Sequence, residues 1–221
     1  MQVLIVGASR GIGLELVRQY RADGAAVTAT ARDDDGLGRL GALGARPIRL
    51  DVADAAGASG LAWPIDGEAF DVAIVNAGVF GPRTTGLQPP STEDFDRVMH
   101  TNVLGAMRVL PQVAEALAPG ARLAVVSSRM GAIGSRGSPS GWLYRASKAA
   151  LNSVLKDTSL VLAGRATCVA LHPGWVRTDM GGTGADLDVA DSAAGIRRVL
   201  AGLNAADNGG FFNHDGTPLA W

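Results

Sequence analysis

Tyr144 and Lys148 stand four residues apart in the run Tyr144-Arg145-Ala146-Ser147-Lys148. On a helix, residues four apart share a face, so a phenol and an ammonium would be stacked one turn apart. A positive charge beside a phenol favours the phenolate and lowers its pKa from the usual value of about 10. Such a tyrosine can exchange a proton with a substrate oxygen near neutral pH. Carbonyl reduction needs that donor, because hydride addition leaves an alkoxide. Lys148 and Lys156 are the only lysines against 18 arginines. A compact ammonium with rotatable donors can reach ribose hydroxyls and the phenol together, which a planar guanidinium does less well. Chance Tyr-x3-Lys spacings are common on surface helices, so the pair depends on its context.

The first context is Gly7-Ala8-Ser9-Arg10-Gly11-Ile12-Gly13, after an apolar run and before an amphipathic helix. Glycines so placed permit a tight turn, let backbone approach a pyrophosphate and let the helix start close to the sheet, its N-terminus facing the phosphates. The spacing, three residues then one, differs from the usual dinucleotide fingerprint. The end of the second strand, Thr30-Ala31-Arg32, has no acid until Asp33. A carboxylate there would repel a 2′-phosphate, whereas Arg10 and Arg32 would fork onto its oxygens. The alternative is two surface arginines in an Arg-rich chain. Asp33, Asp34 and Asp35 either soften the site or begin the next helix.

The elements that must hold these groups alternate along the chain. Apolar runs predict strands at Gln2–Val6, Ala26–Ala31, Pro47–Leu50, Asp71–Val75, Arg122–Ser127, Ala166–Leu171 and Gly210–Asn213. Helical patterns cover Arg10–Arg21, a long span from Ser91 to Leu117, Gly141–Leu162 and Asp188–Leu203. Ser91 and Asp94 are spaced for a capping box, and Pro111 predicts a kink. Gly36–Gly44, with leucines among its glycines, reads as a frayed helix beside the third strand. This alternation predicts one α/β, doubly wound, Rossmann-like domain over 1–221, its parallel sheet of about seven strands covered by helices on both faces.

Composition narrows the function classes. A net charge of −1 and pI near 6.3 give no general grip on nucleic acid or acidic membranes. No apolar run reaches the ~18 residues that would span a bilayer, and the N-terminal apolar run reads as a strand rather than a signal peptide. Cys168 is the only cysteine, which rules out an internal disulfide. His100, His172 and His214 lack metal-ligand spacing, so no metal is expected. Cys168 reads as a small core residue and His172 as packing. A cytoplasmic enzyme or binding protein fits these constraints. Glycine, 30 of 221 residues, is in marked excess over the usual ~7%.

With its variant glycine spacing, Tyr-x3-Lys pair, Ser127-Ser128, Asn76-Ala77-Gly78 and Pro173-Gly174-Trp175-Val176-Arg177-Thr178, the chain resembles the short-chain dehydrogenase/reductase family along essentially its whole length. Val6 stands where that family has the Thr that helps hold neighbouring backbone. The resemblance implies NADP(H) as cofactor and a catalytic set of Asn102, Ser128, Tyr144 and Lys148. Ser128 and Tyr144 would bind the carbonyl oxygen, and Lys148 and Asn102 would replenish the Tyr144 proton through ribose and water. Ser127 is the alternative to Ser128, and a packing role the alternative for Asn102. The Ser128–Tyr144 separation exceeds the commonest family spacing by three residues, which places a larger loop at Ser135–Trp142. Asp51 and Val52 resemble the adenine-contacting pair, with a helix cap as the other reading of Asp51. Asn76, Ala77 and Gly78 would border the cofactor, and Pro173, Gly174, Val176 and Thr178 would position its nicotinamide.

Asp179 to Asp188, with Gly181, Gly182 and Gly184, reads as a short mobile lid. Phe80, Met130, Trp142, Trp175 and Met180 are candidates for an apolar wall, which favours a carbonyl substrate with hydrophobic or aromatic substituents. The C-terminal run from Gly210 to Trp221 resembles a compact branch of the family that holds C-factor-like carbonyl reductases, and the family habit implies a homodimer or homotetramer. The expected activity is reversible NADP(H)-dependent reduction of a ketone or aldehyde to an alcohol. Its rivals are a signalling or sensor protein of the same fold with little turnover, and an NAD-dependent alcohol dehydrogenase.

Overall fold

The computed structural model describes residues 1–221. Strands β1 (Gln2–Val6), β2 (Ala26–Ala31), β3 (Arg46–Arg49), β4 (Phe70–Val75), β5 (Leu117–Val126), β6 (Ala166–His172) and β7 (Gly210–Asn213) form a single sheet in the order 3-2-1-4-5-6-7. Every neighbouring pair is parallel. The strand order reverses between β1 and β4, and in such sheets the crevice at the carboxyl ends of the strands at that reversal takes the ligand.

Alternate residues of the central strands feed two cores. Leu4, Val6, Ala73, Val75, Leu123 and Val125 pack on one side with Val109, Leu110, Leu151 and Leu155. Val3, Ile5, Val72, Ile74, Ala124 and Val126 pack on the other with Leu16, Val17, Leu40 and Ile196. Burial on both faces explains why the strands read as unbroken apolar runs. Helices α1 (Gly11–Ala22), α2 (Asp34–Ala42), α3 (Ala55–Ser59), α4 (Thr92–Met99), α5 (Gly105–Glu115), α6 (Trp142–Val161) and α7 (Val189–Gly202) cover the sheet. None is long and apolar enough to cross a membrane.

Several sequence expectations shift. The span from Ser91 is α4, a π turn at His100–Leu104 and then α5. The departure from α geometry falls at this π turn, where Asn102 turns into the interior, and Pro111 lies within α5. Ser91 caps α4, its Oγ accepting from the Asp94 amide at 3.1 Å, but the Asp94 carboxylate takes Arg97 and the Ser91 hydroxyl, so the reciprocal half of the box is not made. Gly36–Gly44 falls largely in α2, which begins at a cap: Asp33 accepts from the Gly36 amide at 2.7 Å. β5 starts at Leu117, five residues earlier than expected, because Leu117 pairs with Phe70 across a register shift.

After β7 the chain folds back. The Leu219 amide donates to the Phe211 carbonyl at 2.8 Å, the Trp221 ring stacks on Phe211, and the Trp221 carbonyl accepts from the Ile133 amide at 2.9 Å.

Candidate active site

The carboxyl end of β5 and the first half of α6 bring the proposed reacting groups together. Tyr144 is buried, and the Ser128 hydroxyl lies near enough to its phenol to lower the phenol's pKa. Ser128 Oγ also accepts from the Met130 amide at 3.1 Å, starting a 3-10 turn over Arg129–Gly131. Ser127 borders the same cleft as Tyr144 and Lys148, and its hydroxyl donates to Asn152 Oδ1. The two serines thus differ in their partners: Ser128 influences the Tyr144 phenol, whereas the Ser127 hydroxyl is engaged by Asn152. Lys148 Nζ donates to the Val126 carbonyl at 2.8 Å and lies 5.7 Å from the Tyr144 ring centre. Phe80 stacks on the same ring, with centroids 4.5 Å apart.

The expected depression of the Tyr144 pKa is not found. Burial pushes the phenol up to about 12, against a smaller opposing effect of the nearby Ser128 hydroxyl. Burial also brings the Lys148 ammonium down to about 8. Helical spacing alone suggested an ion–phenol pair. In the fold both groups are buried, and desolvation dominates the shift of each.

Asn102 accepts from the Val79 amide at 2.8 Å and donates to the Val79 carbonyl at 2.8 Å and to Ser147 Oγ at 2.9 Å. Ser147 in turn donates to the Tyr144 carbonyl. A Cβ on Gly78 would lie 3.3 Å from Asn102 Oδ1 and 3.4 Å from Lys148 Nζ, so these two groups flank the same glycine. Sequence reasoning missed Ser147, whose only signal was a small polar residue inside the Tyr-x3-Lys run.

A cleft of about 450 Å³ opens beside Tyr144 and Lys148. Of the expected cofactor residues, Gly7, Ser9, Arg10, Gly11, Ile12, Arg32, Asp51, Val52, Asn76, Ala77, Gly78, Pro173 and Thr178 line it. Gly13, Gly174 and Val176 do not; Gly13 packs under Gly7 and Asn76, while Gly174 and Val176 pack against Leu187. A Cβ on Gly7, at φ +85°, would come within 2.6 Å of the Ala77 amide nitrogen, and one on Gly13 within 2.7 Å of Asn76 Nδ2. Asn76 Nδ2 donates to the Gly7 carbonyl at 2.6 Å. Thr30 was also missed. Its Oγ1 accepts from the Gly7 amide at 2.9 Å, so a hydroxyl on β2 anchors the loop although Val6 supplies none. Val176 is buried and pairs with Leu187, and the Pro173 carbonyl accepts from Ser192.

Charge at the adenosine end is rearranged relative to expectation. Arg10 reaches across the cleft mouth to Asp179 at 2.9 Å. Asp33 is committed to capping α2 and Asp34 to Arg49, which settles the role of this acidic run as a helix start. Arg32 lines the cleft, and Arg39 Nε, unremarked in the sequence, donates to the Ser9 carbonyl at 2.9 Å. Asp51 both borders the cleft and accepts from the Ala53 amide at 2.9 Å.

The segment after Thr178 is tied down. The Gly181 and Gly182 amides donate to Thr178, Trp175 Nε1 to the Gly181 carbonyl at 3.0 Å, Arg83 to the Met180 carbonyl at 2.9 Å and Arg177 to Asp188. A side chain on Gly181 would overlap the Val176 carbonyl, so this glycine serves close packing rather than mobility. Among the expected apolar wall residues, Phe80 lies on Tyr144, Met130 Cε lies beside Phe80 over Gly141, and Met180 lines the cleft. Trp175 is 54% exposed at the surface.

His172 is buried at the end of β6, and burial holds its pKa down at about 4. The unfolded chain therefore binds a proton that the folded chain does not between pH 6.5 and about 4. Stability is expected to fall on acidification through that window, by up to about 3 kcal/mol from this group. Denaturant unfolding as a function of pH should show the slope, and His172→Asn should flatten it. An unchanged slope in the variant would assign the acid limb to other groups.

The family model described as short chain dehydrogenase matches residues 1–186. The protein "C-signal" of Myxococcus xanthus is 42% identical over 154 residues, which cover 68% of this chain and 92% of that protein. Among solved structures, the carbonyl reductase Sniffer of D. melanogaster superposes with TM-score 0.88 at 32% identity, covering 100% of this chain and 99% of that one. A carbonyl reductase from Pseudomonas aeruginosa PAO1 in complex with NADP gives TM-score 0.86 at 33% identity, with the same coverage. The chain belongs to the short-chain dehydrogenase family and is an oxidoreductase.

Proposed function

We propose that this protein is an NADP(H)-dependent carbonyl reductase that interconverts a ketone or aldehyde and its alcohol. The observation that carries this reading is that Tyr144 and Lys148 line one cleft with the glycine loop, with Ser128 close to the phenol where β5 and α6 meet. The cleft fits a dinucleotide phosphate. The glycine loop brings backbone and the start of α1 to its wall, and Arg32 lines it where the acids of Asp33 and Asp34 are engaged elsewhere. Arg10 stands at the mouth. The carbonyl reductase from P. aeruginosa that superposes on this chain is itself in complex with NADP.

Bound there, NADPH would supply hydride to the carbonyl carbon. Ser128 and Tyr144 hold the carbonyl oxygen, and Tyr144 gives it a proton as negative charge develops. A phenol raised to about 12 is fully protonated across the neutral range, which suits the donor role and so the direction of reduction. Lys148, flanking Gly78 together with Asn102, supplies positive charge near the phenol as its ammonium forms below about pH 8. Asp51, Val52, Asn76, Ala77, Pro173 and Thr178 shape the walls. Phe80, Met130 and Met180 favour an apolar or aromatic substrate. Exposed Phe95, Met107, Leu160 and Val161 on α4, α5 and α6 support a homodimer or homotetramer.

The test is oxidation of NADPH and of NADH with a panel of ketones, aldehydes and quinones. Turnover faster with NADPH is the expected result. Equal or better use of NADH would overturn the cofactor assignment. The similarity to "C-signal" favours a second reading, a nucleotide-binding signalling protein with little turnover. Cofactor binding without turnover on the whole panel would decide for it.

A further inference from the structure

The face of α6 that carries Tyr144 and Lys148 continues one turn further, at the same spacing of four, to Asn152. The three side chains meet three consecutive residues at the end of β5. Lys148 Nζ donates to the Val126 carbonyl at 2.8 Å, Ser127 Oγ donates to Asn152 Oδ1 at 2.5 Å, and the Tyr144 phenol lies near the Ser128 hydroxyl. Two of these rungs contain the proposed reacting groups. In the remaining one Ser127 borders the cleft but its hydroxyl is given to Asn152, which does not line it.

That rung is costly by ordinary packing rules. Asn152 and Ser127 are 5% and 2% exposed, on the side of the sheet where Leu151 and Leu155 join the apolar core. Asn152 Nδ2 has no partner, and a buried, unsatisfied donor is destabilising. A leucine of similar volume would bury apolar surface and leave no orphan. Stability alone gives no reason for an amide here, whereas geometry does. Apolar contact is non-directional and tolerates sliding, while a short hydrogen bond is confined to a few tenths of an ångström.

We infer that Asn152, acting through Ser127, is a positioning residue. Its bond fixes the register of α6 on the end of β5, and so the height at which Tyr144 meets Ser128 and Lys148 meets Val126. The kinetic part of this inference rests on the carbonyl reductase reading; the geometric part does not. A slip of α6 by about 1 Å would shift the Tyr144 oxygen by as much relative to Ser128, and misplacement on that scale can cost about a hundredfold in rate.

The experiment compares Asn152→Leu, Ser127→Ala and the double variant with the wild-type protein, all with NADPH. Each single variant is expected to lower kcat about tenfold or more, with a much smaller change in KM for NADPH. The double variant should be no slower than the slower single, because only one bond is lost in all three. A crystal structure of Asn152→Leu should show the Tyr144 and Ser128 oxygens moved apart. Ser127→Ala removes a single oxygen atom, so it keeps the test available if Asn152→Leu does not fold. If the wild-type protein reduces no carbonyl, the functional reading falls and the crystallographic comparison alone decides this one. A kcat within about twofold of wild type accompanied by a lower Tm would make Asn152 a packing group only. Losses that multiply in the double variant, or an unchanged Tyr144–Ser128 distance, would likewise overturn the assignment.

Discussion

Tyr144→Phe is expected to lower kcat by about a thousandfold, within the range that a positioned general acid contributes, while leaving the fold and NADPH binding close to wild type. The variant removes one oxygen from a ring held by Phe80 at 4.5 Å, so the packing around it survives. Ser128 keeps its bond to the Met130 amide and is not orphaned. What is lost is the phenolic proton that Tyr144 would transfer to a carbonyl oxygen also held by Ser128. Steady-state rates with the best substrate of the panel, together with cofactor binding and Tm, check this. A kcat reduced less than about tenfold, with binding intact, would show that the proton comes from elsewhere and would sink the mechanism. A matching collapse of Tm would point to a structural role for the hydroxyl instead.

Gly13→Ala is expected to be the most damaging substitution of the cofactor cleft. The added carbon would overlap the Gly7 carbonyl, and would lie 2.7 Å from Asn76 Nδ2 and 2.9 Å from Ala8 Cα. Two of these neighbours are backbone, so relief requires moving the loop and breaking the Asn76–Gly7 bond. Overpacking of this kind costs about 1–3 kcal/mol, and displacement of the loop from the phosphates should weaken NADPH binding by at least about tenfold. Denaturant unfolding and cofactor titration measure the two effects separately. Binding and stability both near wild type would mean that the loop has slack which the packed geometry does not show. Loss of stability with full NADPH affinity would detach Gly13 from the cofactor and leave it a folding residue.

Much of this site was legible in the sequence because it rests on local chemistry. Tyr144 and Lys148 are one helical turn apart whatever the rest of the chain does, and the glycine loop announces itself by its place between a strand and a helix. What was not legible depended on partners distant in the chain. The Tyr144 pKa is set by how deeply the phenol is buried, which no spacing encodes. Arg10 meets Asp179 only because the loops after β1 and β6 converge at the cleft mouth. The long helix was recognised, but its irregularity was assigned to Pro111. A π turn also interrupts it where Asn102 is held inward by Val79 and Ser147, contacts contributed by β4's following loop and by α6. Gly181 illustrates a further limit: composition suggests freedom, whereas the neighbouring Val176 carbonyl shows crowding.

The buried state of Cys168 has a practical side. It is the chain's single thiol, wholly enclosed in β6, and burial raises its pKa to about 11. Since the thiolate is the reactive form, the native surface offers almost nothing to maleimides or disulfide reagents. A cysteine introduced at an exposed position of the segment after Thr178 would then be the one reactive site. A fluorophore or spin label attached there would report on the cleft mouth without background from the rest of the molecule.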